Sequence, residues 1–393
     1  MNPKVILLAC ATFATGTAEN IIVGILPDVS RGLGVSLTLA GQLTAVFSIV
    51  FAAAAPLALV LMTRVERKRL LLCALGLFIA SNLAAAASPD FTTMFAARVA
   101  MAMASATVCL VATMLATDLV EERLRGRAIG VLFMGISGSL VLGVPTGMVI
   151  SDIAGWRGVF VVLALLAALV LLAGWYSLPV SDIRKPMRSG YRAHLRKIPL
   201  VAAQLVSVLM IGGHFVLFAF LAPYLNEVVG LDGGNVVLAF FALGLAGVSG
   251  GFLGGWFADC CSPRIALLLT PAAYLLALVA IPLLQGMPWP TFAAMMIWAC
   301  VSWMISPVVQ SFLISRGPDT AEAGISLNFS AMHIGVGLGT GIGGLSLGAL
   351  WVHALPWIGA GLAALAVVSG GAALWCKPAT SLTITAEGLS SPQ

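Results

Sequence analysis

The chain repeats one pattern twelve times: an apolar stretch long enough to cross a bilayer, then a short polar break. A spanning helix needs about 20 mostly apolar residues. Such stretches fall at about 5–27, 38–62, 70–88, 91–117, 127–150 and 157–178, then at about 200–226, 233–258, 264–285, 289–314, 323–350 and 356–376. Of the 393 residues 60% are hydrophobic and only 9% charged, against about 25% charged in soluble domains. No water-facing fold hides that much apolar surface, so the bilayer is the solvent. Inside a bilayer each backbone polar group must be satisfied by the protein itself, which these lengths do as helices. The predicted fold class is an all-α integral membrane protein of twelve transmembrane helices.

The only long polar break, 179–199, divides the chain into a six-helix bundle at 1–178 and a second at 200–376, followed by a tail at 377–393. Lysine and arginine in the loops set orientation. Seventeen of the 20 fall on one face: Lys4, the Arg64–Arg69 cluster, Arg123, Arg125 and Arg127, the six of the central break, Arg264, Arg316 and Lys377. Arg31 and Arg157 fall on the other, and Arg98 lies within a span. This bias puts both termini and the central break in the cytoplasm of a plasma (inner) membrane protein. Tryptophans 156, 175, 256, 289, 351, 357 and 375 fall near span ends, where indole favours the interface.

The halves read as copies of one unit. Pro27 and Gly34 after the first span match Pro223 and Gly230 after the seventh at one offset, 196 residues. The short basic clusters lie between spans and form no basic face, so nucleic acid is not an expected partner. Seven cysteines show no CxxC or Cys/His zinc spacing, and all read as reduced apolar residues. The N-terminal stretch lacks a convincing cleavage site and reads as an uncleaved first helix.

Two charges lie deep inside spans, Glu19 and Arg98. A charge at mid-bilayer costs roughly 2.5–3.5 kcal/mol on insertion scales, so such residues pair and usually serve transport. Both are expected about seven or eight residues below the outer ends of their spans, at matched depth. One reading makes them a proton-coupling pair; the other makes them a fixed ion pair that only orients two helices. His214 and His333 are the membrane-embedded histidines, and each reads either as a solute or proton contact or as a satisfied structural residue. Thr17, Gln204, Asn328, Gln310, Trp298 and Trp303 are further candidates to line a solute path. The Arg64, Arg67 and Arg69 loop is either a topology determinant or a charge clamp that closes one face, with Asp118, Arg123 and Arg125 as companions. The run 335–344 mimics a nucleotide-binding glycine loop but lacks the strand and the Lys-Ser/Thr ending. Gly335, Gly339 and Gly343 instead make one smooth helix face for close packing. Gly135, Gly138, Gly143, Pro145 and Gly147 do the same in the fifth span.

These features resemble the major facilitator superfamily, in its twelve-helix drug–proton antiporter branch and most closely the arabinose-efflux-permease group of sugar, nucleoside and chloramphenicol exporters. The resemblance covers nearly the whole chain. It is carried by Gly16-Thr17-Ala18-Glu19, Val23 to Asp28, Ala40 to Leu43, the basic run Arg64–Arg69, Arg98, Gly143-Val144-Pro145-Thr146-Gly147 and Gly155-Trp156-Arg157. It implies two pseudo-symmetric bundles that rock about a central site. It also implies proton transfer at Arg98 and bending and sealing at Gly143, Pro145 and Gly147. The chain departs from the pattern after the second span, where Leu59, Thr63 and Glu66 replace Gly, Asp and Gly. The second-half loop keeps Gly255, Asp259 and Arg264, which makes Asp259 and Arg264 gating candidates. After Arg98 the family's histidine is missing.

The expected function is proton-coupled efflux of a small organic solute or drug by alternating access, with protons and the bilayer as its other partners. The expected energy source is the proton gradient, with no bound cofactor or metal, and the expected state is a monomer. Proton-coupled uptake is the closest competitor. A membrane enzyme would need a nucleophile–base or metal set that the sequence lacks, and a sensor would need a sizeable soluble domain.

Overall fold

A computed structural model describes residues 2–35, 37–180, 190–231, 233–349 and 352–375. Arg184, Lys185, Arg188, Trp351, Cys376 and the 377–393 tail lie outside the described residues, as do the side chains of Pro27 and Pro223. Numbering only membrane-length helices, the first half holds α1 (Pro3–Leu33), α2 (Leu37–Met62), α3 (Arg67–Ala86), α4 (Phe91–Asp118), α5 (125–154) and α6 (156–177). The second holds α7 (Ile198–Phe218), α8 (Gly233–Cys261), α9 (Pro263–Leu283), α10 (Pro288–Arg316), α11 (Ala321–Ala349) and α12 (Leu355–Trp375).

Ten segments are long and apolar enough to cross a membrane by composition alone. One of them, Glu122–Ser177, is 56 residues long and holds two spans, because helical geometry breaks at Gly155, where φ is 73°. Helix α11 supplies the twelfth; its 29 residues carry Ser326, Asn328, Ser330 and His333, which dilute its apolar character. The matched glycines at offset 196 have one job. Gly34 and Gly230 both adopt left-handed backbone, φ 65° and 76°, and both end a helical segment. A side chain is disfavoured in that region.

Local signals set the register of the charged residues. Asp90 accepts from the Thr93 N–H and caps α4, which fixes Arg98 two turns inside it. Glu66 caps α3 through the N–H groups of Lys68 and Arg69, so this departure from the family pattern makes a helix start. Helix α1 extends six residues beyond the apolar stretch at 5–27. Glu19 therefore lies at the middle of α1, about 21 Å along the axis from Leu33 at 1.5 Å per residue.

Small residues bring helices together. Side chains at Gly135, Gly143 and Gly147 of α5 would collide with Ala9, Thr17 and Ile21 of α1. Between Gly138 and Val144, α5 passes through a π-helical turn, Ser139–Gly143, just before Pro145. In α11, Gly335 and Gly339 lie against the backbone of α7 at Val208 and Gly212, and Gly343 lies against Val216 and Phe220, so this stripe packs helices as expected. The exposed apolar side chains, such as Leu169, Leu276 and Val368, form the surface that lipid covers.

A methyl at Gly339 would strike the Gly212 carbonyl, whereas one at Gly337 meets nothing within 4 Å. Gly339→Ala should lose about 1–3 kcal/mol by overpacking, read as a lower melting temperature in detergent, with Gly337→Ala unchanged.

Candidate functional site

Arg98 contacts the helix that carries Glu19, but through its backbone, and no side-chain ion pair joins the two residues among the described contacts. Arg98 is fully buried, and its donors go to main-chain carbonyls: Nη1 to Ala18 O at 2.6 Å, Nη2 to Glu19 O at 3.4 Å and Nε to Leu43 O at 3.3 Å. Its guanidinium also lies over the Phe47 ring, 4.4 Å from the centroid. The physical reason is geometric. A guanidinium is a planar fork of five N–H donors, and two neighbouring helices offer carbonyls to it in a fully buried site. Arg98 thereby ties α4 to α1 and α2.

The Glu19 carboxylate turns toward the other half of the molecule. Its Oε1 lies 3.3 Å from His333 Nε2 on α11. The glutamate side chain keeps 22% of its surface exposed and the histidine 9%. Glu19 is thus partly exposed at the middle of α1, on the side facing α11. His333 is held by Nδ1, which donates to Phe329 O at 2.9 Å, and by a parallel stack on Phe51 of α2 at 3.8 Å. Phe329 is in turn stacked on Phe133 of α5. His333 thus contacts the first half through both its ring face and its edge.

The other solute-path candidates separate into three environments. Asn328, Gln310 and Gln204 bond one another: Gln310 donates to Asn328 Oδ1 at 3.3 Å, and Asn328 donates to Gln204 Oε1 at 3.1 Å and Ser207 Oγ at 2.8 Å. Gln204 continues to Gly324 O and to His194 of the linker helix Tyr191–Leu195. This network is buried, and its members bond within the second half and the linker helix, with Gln310 Oε1 left without a partner among the described residues. Thr17 packs against Gly143 and donates to Phe13 O, so it belongs to the α1–α5 contact. His214 sits among rings, stacked on Phe218 at 5.0 Å and Trp298 at 4.8 Å, with Phe215 and Trp303 edge-on. The Trp298 indole N–H reaches Tyr274 Oη at 3.4 Å, while Trp303 packs on Gly247.

At the face bearing the basic loops, the expected clamp is narrower than the sequence suggests. Arg67 alone of its cluster is buried, and it pairs with both Asp118 of α4 and Glu322 of α11. Arg64 and Arg69 are exposed. Arg123 and Arg125 pair locally with Glu121 and Glu122, and Arg264 is exposed, so none of the three joins the clamp among the described residues. Asp259 of α8 accepts from the N–H groups of Gly126 and Arg127 at 3.0 and 2.9 Å. A carboxylate at the start of α5 meets unpaired donors and the positive end of the helix dipole.

Sequence reasoning missed Glu322, Ser326, Ser330, Tyr191 and His194. A signal existed for two of them: Ser326, Ser330 and His333 recur at i, i+4 and i+7, a polar stripe on one helix face.

A family model described as Major Facilitator Superfamily matches residues 8–331. An uncharacterized MFS-type transporter of Bacillus subtilis (strain 168), YbcL, is 30% identical over 91% of this chain and 92% of its own length. A probable sugar efflux transporter of Helicobacter pylori (strain P12) is 26% identical over 93% of each. The crystal structure of the Escherichia coli fucose:proton symporter FucP superposes with a TM-score of 0.75, covering 94% of this chain and 98% of that one at 16% identity, which speaks to fold alone. These are transporters, in line with a chain that is not an enzyme.

Burial pushes the His194 imidazole down to about 4 from 6.5. The unfolded chain therefore binds this proton between those values and the folded chain does not, so stability is full above about pH 6.5 and falls toward pH 4. His194→Gln should flatten this slope in melting temperature against pH; an unchanged slope would contradict the assignment.

Proposed function

We propose that this chain, which belongs to the major facilitator superfamily, is a proton-coupled exporter of a small organic solute. The observation that carries this reading is Glu19: a single carboxylate at the middle of α1, partly exposed, facing the opposite half rather than the arginine beside it. A carboxylate neutralised by a fixed guanidinium pair would be a poor proton carrier. Here Arg98 holds the backbone of Glu19 and leaves the carboxylate available.

Coupling requires that the proton favour one conformation over the other. Arg67 with Glu322, and Asp259 with the start of α5, hold the halves together at the basic face. The lysine and arginine bias assigns that face to the cytoplasm. With the basic face shut, the far side is the route this reading assigns to protons bound for Glu19. Release of the basic face then exposes the centre to the cytoplasm, where the proton leaves and solute enters. A single acid at mid-span suits exchange of one proton for a neutral or weakly polar solute. The sugar efflux relative points to a sugar-like class.

The test is flux in proteoliposomes with an imposed pH gradient, screening pentoses, nucleosides and amphenicols. Glu19→Gln should fold, lose gradient-driven flux at least tenfold and keep solute exchange without a gradient. Arg98→Ala removes the bonds that tie α4 to α1 and α2 and should lower stability as well as flux. Normal gradient-driven flux in Glu19→Gln would contradict the proposal.

A further inference from the structure

We infer that His333 is the group through which a proton on Glu19 acts on the second half: their contact is the end rung of a seam between α2 and α11 that holds the basic face shut. The inference rests on Glu19 as the proton carrier, as proposed above.

The seam consists of side chains on one face of α11 meeting α2 and its flanks. At the basic end Glu322 pairs with Arg67. One turn on, Ser326 Oγ donates to Ala55 O at 2.8 Å, and Tyr191 of the linker helix donates to Pro56 O at 2.8 Å while lying 3.1 Å from Ser326 Oγ. The next rung is Ser330 Oγ, which donates to Ala52 O at 2.6 Å. This acceptor has a cause in the sequence. Pro56 has no N–H, so the carbonyl four residues before it lacks its helical partner, and a hydroxyl from the other half takes that place. The last rung is His333, stacked on Phe51 and facing Glu19.

The middle rungs join neutral groups, which form and break without a change of charge. The Glu19–His333 rung is different. Because Nδ1 donates to a carbonyl, it carries a hydrogen, so Nε2 holds either a lone pair or a second hydrogen. A carboxylate 3.3 Å away is repelled by a bare lone pair on Nε2 and attracted by an imidazolium, so the contact is favourable when the imidazole is charged. The contact is an approach of charges rather than a directed hydrogen bond, since Nε2 has no partner in good geometry. Its strength therefore follows the charge state. A proton on Glu19 leaves the imidazolium without its counter-charge and weakens the end of the seam.

Among the described residues, the titratable or charged groups near Glu19 are few. From α4 they are Arg98, committed to carbonyls, and Cys109, which contacts Thr15. From α11 there is His333. Helix α2 presents Phe47 and Phe51, and α5 presents Ser139 against Gly16. Asp28, further along α1, is bound to Ser151. His333 is thus the group placed to carry the effect across.

The test uses spin labels at two exposed basic-face positions, Arg123→Cys and Arg264→Cys, in full-length protein lacking its native cysteines. Distances are read at about pH 8 and pH 5. The expected result is a closed basic face at the higher pH and a longer distance on acidification. Glu19→Gln and His333→Phe, which keeps the ring stack on Phe51, should each lower the closed-to-open ratio about tenfold at the higher pH, the size of coupling expected between touching residues. The double variant should go little further, and the exchange Glu19→His with His333→Glu should restore closure. A His333→Phe protein that closes and opens with pH like the parent would overturn the inference, as would additive effects in the double variant. A pH-sensitive seam in a protein whose flux ignores the pH gradient would instead overturn the proposed function and leave the seam standing.

Discussion

A guanidinium in a bilayer must find acceptors inside the protein, and Arg98 finds them in the backbone of its neighbours. The rest of the centre follows from that choice. Carbonyls of Ala18, Glu19 and Leu43 fix α1 and α2 against α4, which sets the depth and direction of Glu19. The carboxylate, not held by the arginine, reaches α11 and meets His333. Helix packing supplies the other half of the constraint. Glycines of α5 let α1 approach closely at Ala9, Thr17 and Ile21, while the α11 glycines hold that helix against α7 and leave its polar stripe for α2.

The two ends of the interface between halves obey the same rule of satisfied polar groups. At the basic face a helix start with unpaired N–H groups receives Asp259, and a buried arginine receives two carboxylates. Further in, a carbonyl freed by Pro56 receives Ser330. Each contact joins groups that water can satisfy equally well once the halves part. Such an interface has modest net strength, which a protein that must open and close requires.

Much of the architecture was legible in the sequence because it follows from length and periodicity. Span number, the glycine stripes and the paired glycines at one offset are local properties, and the family relationship agrees with the fold. The partner of each polar group was not legible. Glu19 and Arg98 have opposite charges and matched depth, which favours the simplest pairing, yet the geometry of the guanidinium fork and the nearby carbonyls decides otherwise. Asn328, Gln310 and Gln204 read as solute contacts because isolated polar residues in apolar spans look unsatisfied; three helices bring them together. The clamp was legible as a cluster but not as one residue, since Arg67 differs from Arg64 and Arg69 only in the direction it faces at the start of α3. His333 was visible as a candidate, and its tie to Glu19 depends on long-range contact that no local pattern encodes.

The central claim is that Glu19 takes a proton and that this proton loosens the contact between halves. Difference infrared spectroscopy of the protein in lipid, comparing parent with Glu19→Gln during acidification, reads the carboxyl group directly. The account predicts a protonated-carboxyl band that is absent in Glu19→Gln and that rises together with loss of the closed basic face in the same sample. Opening of the basic face with no change at the Glu19 carboxyl would contradict it.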